Sequence, residues 1–104
     1  MFGLENLAEI ITLRAGADAE SSYTRSLLDK GVARCAKKFG EEATEAIIAA
    51  VAEDDAALIA EAADVLYHLV VMLQARKTPL ASVMAELERR TAQSGHAEKA
   101  SRPK

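Results

Sequence analysis

The chain has no tryptophan, one cysteine and two prolines, and its aromatic content is only 4% of 104 residues. A single cysteine, Cys35, excludes an intrachain disulfide, and no Cys/His spacing matches a zinc site. With few aromatics, Ala, Leu, Ile and Val must build the core, and a chain of this length buries a modest share of its surface. Neither sign of charge dominates: the net charge is −3, with acids and bases interspersed. No basic field is therefore expected to attract nucleic acid. Long hydrophobic runs also look absent, none approaching the ~18 apolar residues of a membrane span. The opening "MFGLENLAEIITLRAG" has acids within its apolar face and no basic leader, so it does not read as a secretory signal. These absences predict one soluble, cytoplasmic domain with neither membrane nor nucleic acid as partner, and leave a second copy of the chain to complete a thin core.

What is present is helical periodicity. Phe2, Leu4, Leu7, Ile10 and Ile11 recur at helical spacing and predict a short amphipathic helix. "AGADAESS" reads as a loop, with Ser21 or Ser22 as cap of the next helix. The stripe Leu28, Val32, Ala36, Phe39, Ala43, Ala46, Ile47, Ala50 predicts a long helix from the "YTRSLLDKG" segment to about Val51. The stripe keeps phase across Gly40, which favours continuity there. "AEDDAA" is a turn, with Asp54 or Asp55 as cap, and Leu58, Ala62, Val65, Leu66, Leu69, Met72 and Leu73 form the core face of a second long helix. Thr78 as cap with Pro79 at the first helical position opens a last helix with an apolar face of Leu80, Val83, Met84 and Leu87. No strand pattern or repeat is evident. The expected fold is all-α, a bundle of four to five helices over residues 1–92 built on a long antiparallel pair, with a disordered tail over 93–104. Ile48, Val51, Val70 and Val71 lie off the main stripes, and helices apolar on most sides are normally buried, which predicts a homodimer.

Acids interrupt this pattern in an ordered way. Glu42 and Glu45 are three residues apart, as are Glu61 and Asp64, so each pair shares a helix face. Glu45 and Glu61 are equally distant from the turn at Glu53, as are Glu42 and Asp64. In an antiparallel hairpin with axes about 8–10 Å apart, the four carboxylates converge. Anions gathered beside a buried seam repel and are costly to desolvate, and a bound cation relieves both costs. An all-oxygen donor set suits Mg²⁺, with Mn²⁺ as substitute, better than iron, whose bundle sites use Glu-x-x-His. One such pair alone would read as a solvated face; two pairs symmetric about one turn are harder to assign to chance.

Lys38 precedes Glu42 by one turn, Arg34 precedes Lys38 by another, and His68 follows Asp64 by one turn. Cations beside metal suit a polyphosphate, whose oxygens need neutralising. The plainer alternative pairs Lys38 and Arg34 with nearby glutamates, and treats His68 and Tyr67 singly as packing residues. Glu41 reads as an extra ligand, a general base or a solvated charge; Cys35 reads as a small buried hydrophobe.

At these residues the chain resembles a known family. "EEATE" followed by "EAAD" is similar to the E-x-x-E…E-x-x-D signature of the all-α nucleoside triphosphate pyrophosphatases of the MazG type. "SYT", K-x-G-E-E-x-x-E and D-x-L-Y-H together resemble its phosphoribosyl-ATP pyrophosphatase branch, from about Leu4 to Arg90. The resemblance implies a homodimer, Mg²⁺ on Glu42, Glu45, Glu61 and Asp64, and hydrolysis of phosphoribosyl-ATP to phosphoribosyl-AMP and pyrophosphate, the second step of histidine biosynthesis. Glu41 or Glu45 is then the candidate to take a proton from water. Lys38, Arg34 and His68 are expected to serve the substrate, with the phosphoribosyl group recognised by Ser22, Tyr23 and Thr24 or by Arg89 and Arg90. Two alternatives stand beside this: a house-cleaning (deoxy)nucleoside triphosphate pyrophosphatase with the same metals, and a helical dimerisation module whose acids are surface charge.

Overall fold

The fold is described from a computed structural model, over residues 1–20 and 22–92. It contains α1 (Leu4–Ala15), α2 (Tyr23–Asp29), α3 (Val32–Ala52), α4 (Asp55–Ala75) and α5 (Leu80–Thr91). The described residues are all-helical, as expected; the tail over 93–104 and Ser21 lie outside them.

Local chemistry sets the boundaries. Ser22 caps α2 by accepting the Arg25 N–H at 3.1 Å, and Asp54 caps α4 by accepting the Ala57 N–H at 2.9 Å. α3 runs unbroken through Gly40, as the phase of its stripe predicts. The single long helix expected from the "YTRSLLDKG" segment is divided at Gly31, whose φ of +93° lies in the left-handed region. Glycine reaches that region without steric cost, so the chain turns there between α2 and α3.

The predicted Thr78 cap is also displaced. Thr78 donates its N–H to the Leu73 carbonyl at 2.9 Å, and Lys77, at φ +58°, donates to Gln74 at 3.0 Å. This is the double closure of a Schellman motif, which commits Thr78 to ending α4. Pro79, extended at ψ 138°, becomes the N-cap position of α5.

α3 and α4 form the antiparallel hairpin, with α1 and α2 packed across its open end. The core lies at that end: Ile11, Leu27, Cys35, Val70 and Val71 are buried, with Leu7, Leu28, Tyr67 and Met72 packed on them. Cys35 is 1% exposed, its Sγ–H donates to the Leu27 carbonyl at 3.4 Å, and burial pushes its thiol pKa up. It is the small buried hydrophobe expected.

The phase of the core differs from the predicted stripes. Along α3 the buried positions are Cys35, Glu42 and Ala49, a seven-residue repeat typical of a helix seam. Val32, Ala36, Ile47 and Ala50, predicted inside, are exposed on the single chain, as are Ala62 and Leu66 of α4. Val70 and Val71, read as surplus apolar residues, are instead core, at 4% and 1% exposure. The helices are so rich in small apolar residues that several faces compete, and the crossing of α1 and α2 decides which is covered.

α4 corrects a further expectation. Its 18-residue window of mean hydropathy 1.8 is long and apolar enough, by length and composition, to cross a membrane. Core helices reach the same level, and α4 carries Glu61 and Asp64 and lies along α3.

Candidate metal centre

α3 and α4 bring Glu42, Glu45 and Glu61 together midway along the hairpin. One carboxylate oxygen of each lies within 4.8 Å of the others. Glu42 is buried, Glu61 half-buried and Glu45 exposed. Glu42 thus sits in the seam, deeper than the stripe-flanking position its sequence pattern predicts. The repulsion this creates is visible at Glu45, whose carboxyl pKa is raised by the charge of Glu42 first, and by a hydrogen bond and charge from Glu61.

The Oε2 atom of Glu61 is buried and has no hydrogen-bond partner among the described residues. A buried acceptor left unmatched is costly, and three converging oxygens without nitrogen or sulfur match the donor preference of a hard divalent cation. The residues therefore fit Mg²⁺. Asp64 is exposed and stands outside the close trio. A fourth like charge drawn into the seam would add repulsion, so its carboxylate stays in water.

Lys38 lies where the helix register places it, with Nζ 3.3 Å from Glu42 Oε1. Its pKa is raised, chiefly by that hydrogen bond, with contributions from Tyr23 and from Glu42 and Glu41 charge. Glu41 is exposed and outside the trio, and Arg34 is exposed on the first turn of α3.

Beyond Asp64 an ordered polar cluster begins. His68 is 5% exposed and its Nδ1 lies 2.7 Å from the Asp64 carbonyl oxygen. A carbonyl only accepts, so Nδ1 carries the proton, and Nε2 pairs with the Tyr23 hydroxyl at 3.3 Å. Tyr67 and Thr24 share a hydroxyl–hydroxyl bond. The rings of Tyr23 and Tyr67 both meet the His68 ring edge-on. The pKa of Tyr23 is raised mainly by burial, against a lowering influence of Lys38.

The residues predicted for the phosphoribosyl group separate into two places. The Ser22 hydroxyl donates to the Arg14 carbonyl at 3.2 Å while capping α2, and Thr24 is fully buried. Both hydroxyls are committed to structure. Arg89 and Arg90 lie on α5, each bonded to Glu86 at 2.8 Å, and these arginines pull its carboxyl pKa down to about 2. α5 buries none of its residues and borders α1 across a 520 Å³ groove whose walls include none of the four acids. Sequence reasoning missed Arg14, which lines a 360 Å³ cavity with Ala17, Ser22, Tyr23 and Thr24. A signal for it existed, because Arg14 is the only basic residue ahead of Arg25.

The model of the family described as "Phosphoribosyl-ATP pyrophosphohydrolase" matches residues 4–91. The phosphoribosyl-ATP pyrophosphatase of Azorhizobium caulinodans is 61% identical over 99 residues, covering 95% of this chain and 91% of that one. Its counterpart in Cereibacter sphaeroides is 63% identical over 99 residues, covering 95% and 96%. That of Rhodobacter capsulatus is 60% identical over 102 residues, covering 98% and 99%. With the match running from the first turn of α1 to the last residue of α5, the chain belongs to the phosphoribosyl-ATP pyrophosphohydrolase family.

Proposed function

We propose that the protein hydrolyses phosphoribosyl-ATP to phosphoribosyl-AMP and pyrophosphate in a Mg²⁺-dependent reaction, the second step of histidine biosynthesis, in the cytoplasm. The observation that carries this reading is the convergence of Glu42, Glu45 and Glu61 around an unsatisfied, buried Glu61 oxygen. The names borne by the relatives supply the substrate.

In this reading Glu42, Glu45 and Glu61 hold the metal, and Asp64 completes the set from the adjacent turn of α4. When bound, Mg²⁺ supplies charge neutralisation of the phosphate oxygens and acidification of water. Lys38, already close to Glu42, offers a mobile positive charge to the departing pyrophosphate, where negative charge grows in the transition state. Glu45, with its raised pKa, or Glu41, which is exposed, accepts the proton of the attacking water. Arg34, a turn before Lys38, extends the positive approach. No side chain in the seam is an activated nucleophile: Cys35 is buried in the core. Water therefore attacks directly, between the α and β phosphates, without a covalent intermediate.

The working unit is a homodimer. Ile47, Ile48, Val51 and Ile59 are 64%, 50%, 83% and 70% exposed near the closed end of the hairpin, where α1 and α2 do not reach. Exposed apolar side chains at this density support a covering partner of the same kind.

Steady-state turnover with and without Mg²⁺, followed by product analysis in ¹⁸O-water, tests the reaction. Pyrophosphate with phosphoribosyl-AMP is expected. Orthophosphate would overturn the bond assignment, and equal turnover of ATP would move the protein to the house-cleaning class.

A further inference from the structure

The cavity between the end of α1 and the start of α2 has no part in the chemistry above. Its 360 Å³ lie within the ~300–1,000 Å³ range of small-molecule sites. Its walls are fixed. The backbone of Arg14 accepts the Ser22 hydroxyl and the Ala17 N–H, at 3.2 Å and 3.1 Å. The guanidinium of Arg25 clamps the Ala17 carbonyl at 3.0 Å and Asp29 at 2.9 Å. Thr24 is tied to Tyr67. One lining charge is left over: the guanidinium of Arg14 makes no ion pair or hydrogen bond with any described residue.

The cavity also has a connection to the carboxylate seam through one side chain. Tyr23 lines it, and the Tyr23 hydroxyl reaches His68, itself bonded to the backbone of Asp64. A ligand with two anionic ends thus meets the three carboxylates and Lys38 at one end, and Arg14 at the other. Arg14 is exposed at the rim of this recess, and a guanidinium free to turn into it suits a phosphomonoester, whose oxygens accept its forked donors.

We propose that this cavity receives the ribose-borne phosphate of the phosphoribosyl group, with Arg14 as the residue that distinguishes phosphoribosylated ATP from ATP. The inference deepens the function proposed above and rests on it for the identity of the substrate. It reassigns the expected roles of Ser22 and Thr24: they shape the wall, while Arg14 supplies the contact.

The test compares wild type with Arg14→Ala and Arg14→Lys in the intact protein. For Arg14→Ala, KM for phosphoribosyl-ATP should rise about tenfold or more, as expected for loss of a charge-assisted hydrogen bond, with kcat within about twofold. Inhibition by ATP, which lacks the phosphoribosyl group and its phosphate, should be unchanged, and Arg14→Lys should fall between. An unchanged KM, a loss confined to kcat, or an equal loss of ATP binding would overturn the proposal. A second readout is independent of turnover: ribose 5-phosphate titrated onto ¹⁵N-labelled, Mg²⁺-free protein. It should shift the amides of Ala17, Tyr23 and Thr24 in wild type and not in Arg14→Ala. Shifts no larger than those from inorganic phosphate would reduce the cavity to a general anion site and defeat the assignment. Absence of phosphoribosyl-ATP turnover in wild type, with this titration positive, would sink the proposed reaction and leave the phosphate pocket standing.

Discussion

The ammonium of Lys38 stands 3.3 Å from a carboxylate oxygen of Glu42, and Glu42 is buried in the seam between α3 and α4. This contact gives the buried anion a partner, yet Lys38 remains about one-third exposed and able to turn toward a ligand. Lys38→Ala should lower kcat/KM about 10–100-fold, because the donor meets charge that develops at the leaving group. Mg²⁺ affinity should hold or rise, since a competing cation has been removed. Isothermal titration beside steady-state kinetics separates the two effects; unchanged kinetics would reduce the pair to a surface contact.

The carboxylates should be separable by role. Glu42→Gln, Glu45→Gln and Glu61→Gln each remove a formal charge from a trio within 4.8 Å. Each should weaken Mg²⁺ binding and cut activity by about 100-fold or more, within the range seen when one electrostatic group of a catalytic site is deleted. In metal-free protein Glu61→Gln should raise Tm by several degrees, because an amide can donate from the place where Glu61 Oε2 now has no partner. Asp64→Asn should cost activity without that gain, its carboxylate being exposed. Wild-type Mg²⁺ titrations from all four variants would exclude a metal centre here.

The two glycines that bracket the first half of α3 should respond in opposite directions. Gly31→Ala forces a side chain into φ +93° and should destabilise by about 1–2 kcal/mol. Gly40→Ala meets nothing within 4 Å in a helix interior and should stabilise by up to about 1 kcal/mol. Urea unfolding of both variants measures the pair; equal signs would contradict the helix break at Gly31.

The exposed apolar end of the hairpin should be a subunit contact. Ile48→Glu, at a position 50% exposed on the single chain, should shift the protein to monomer in light scattering and make Tm independent of concentration. A wild-type monomer at micromolar concentration would remove the basis for this prediction.

Glu86 offers a pH signature. Its folded pKa of about 2 lies below the ordinary 4.5, owing to Arg89 and then Arg90. A depressed carboxyl pKa gives stability that is fully present above about 4.5 and is lost as pH falls toward about 2. Because the group is solvent-exposed the contribution is small. Glu86→Gln should lower Tm slightly near neutrality and converge on wild type as pH falls from about 4.5 toward about 2, where the carboxyl is itself uncharged; a difference that grows as pH falls would place the effect elsewhere.

The sequence by itself determined the all-helical class, the Ser22 and Asp54 caps and the symmetry of the acids about Glu53. Those features depend on spacing along one chain: a cap acts three residues ahead, and an antiparallel hairpin puts equidistant residues at equal height. The phase of burial was decided only in three dimensions. α3 and α4 are apolar on several faces, so their periodicity fits more than one orientation. The crossing of α1 and α2 selects the Cys35–Glu42–Ala49 line and leaves Ile47 and Ile48 outside. Tertiary structure likewise left Asp64 in water while drawing Glu42 inward, since the cost of gathering like charges depends on depth. It also put Arg14 and Tyr23 in the wall of one cavity, a relation carried by a loop whose path no repeat or stripe encodes.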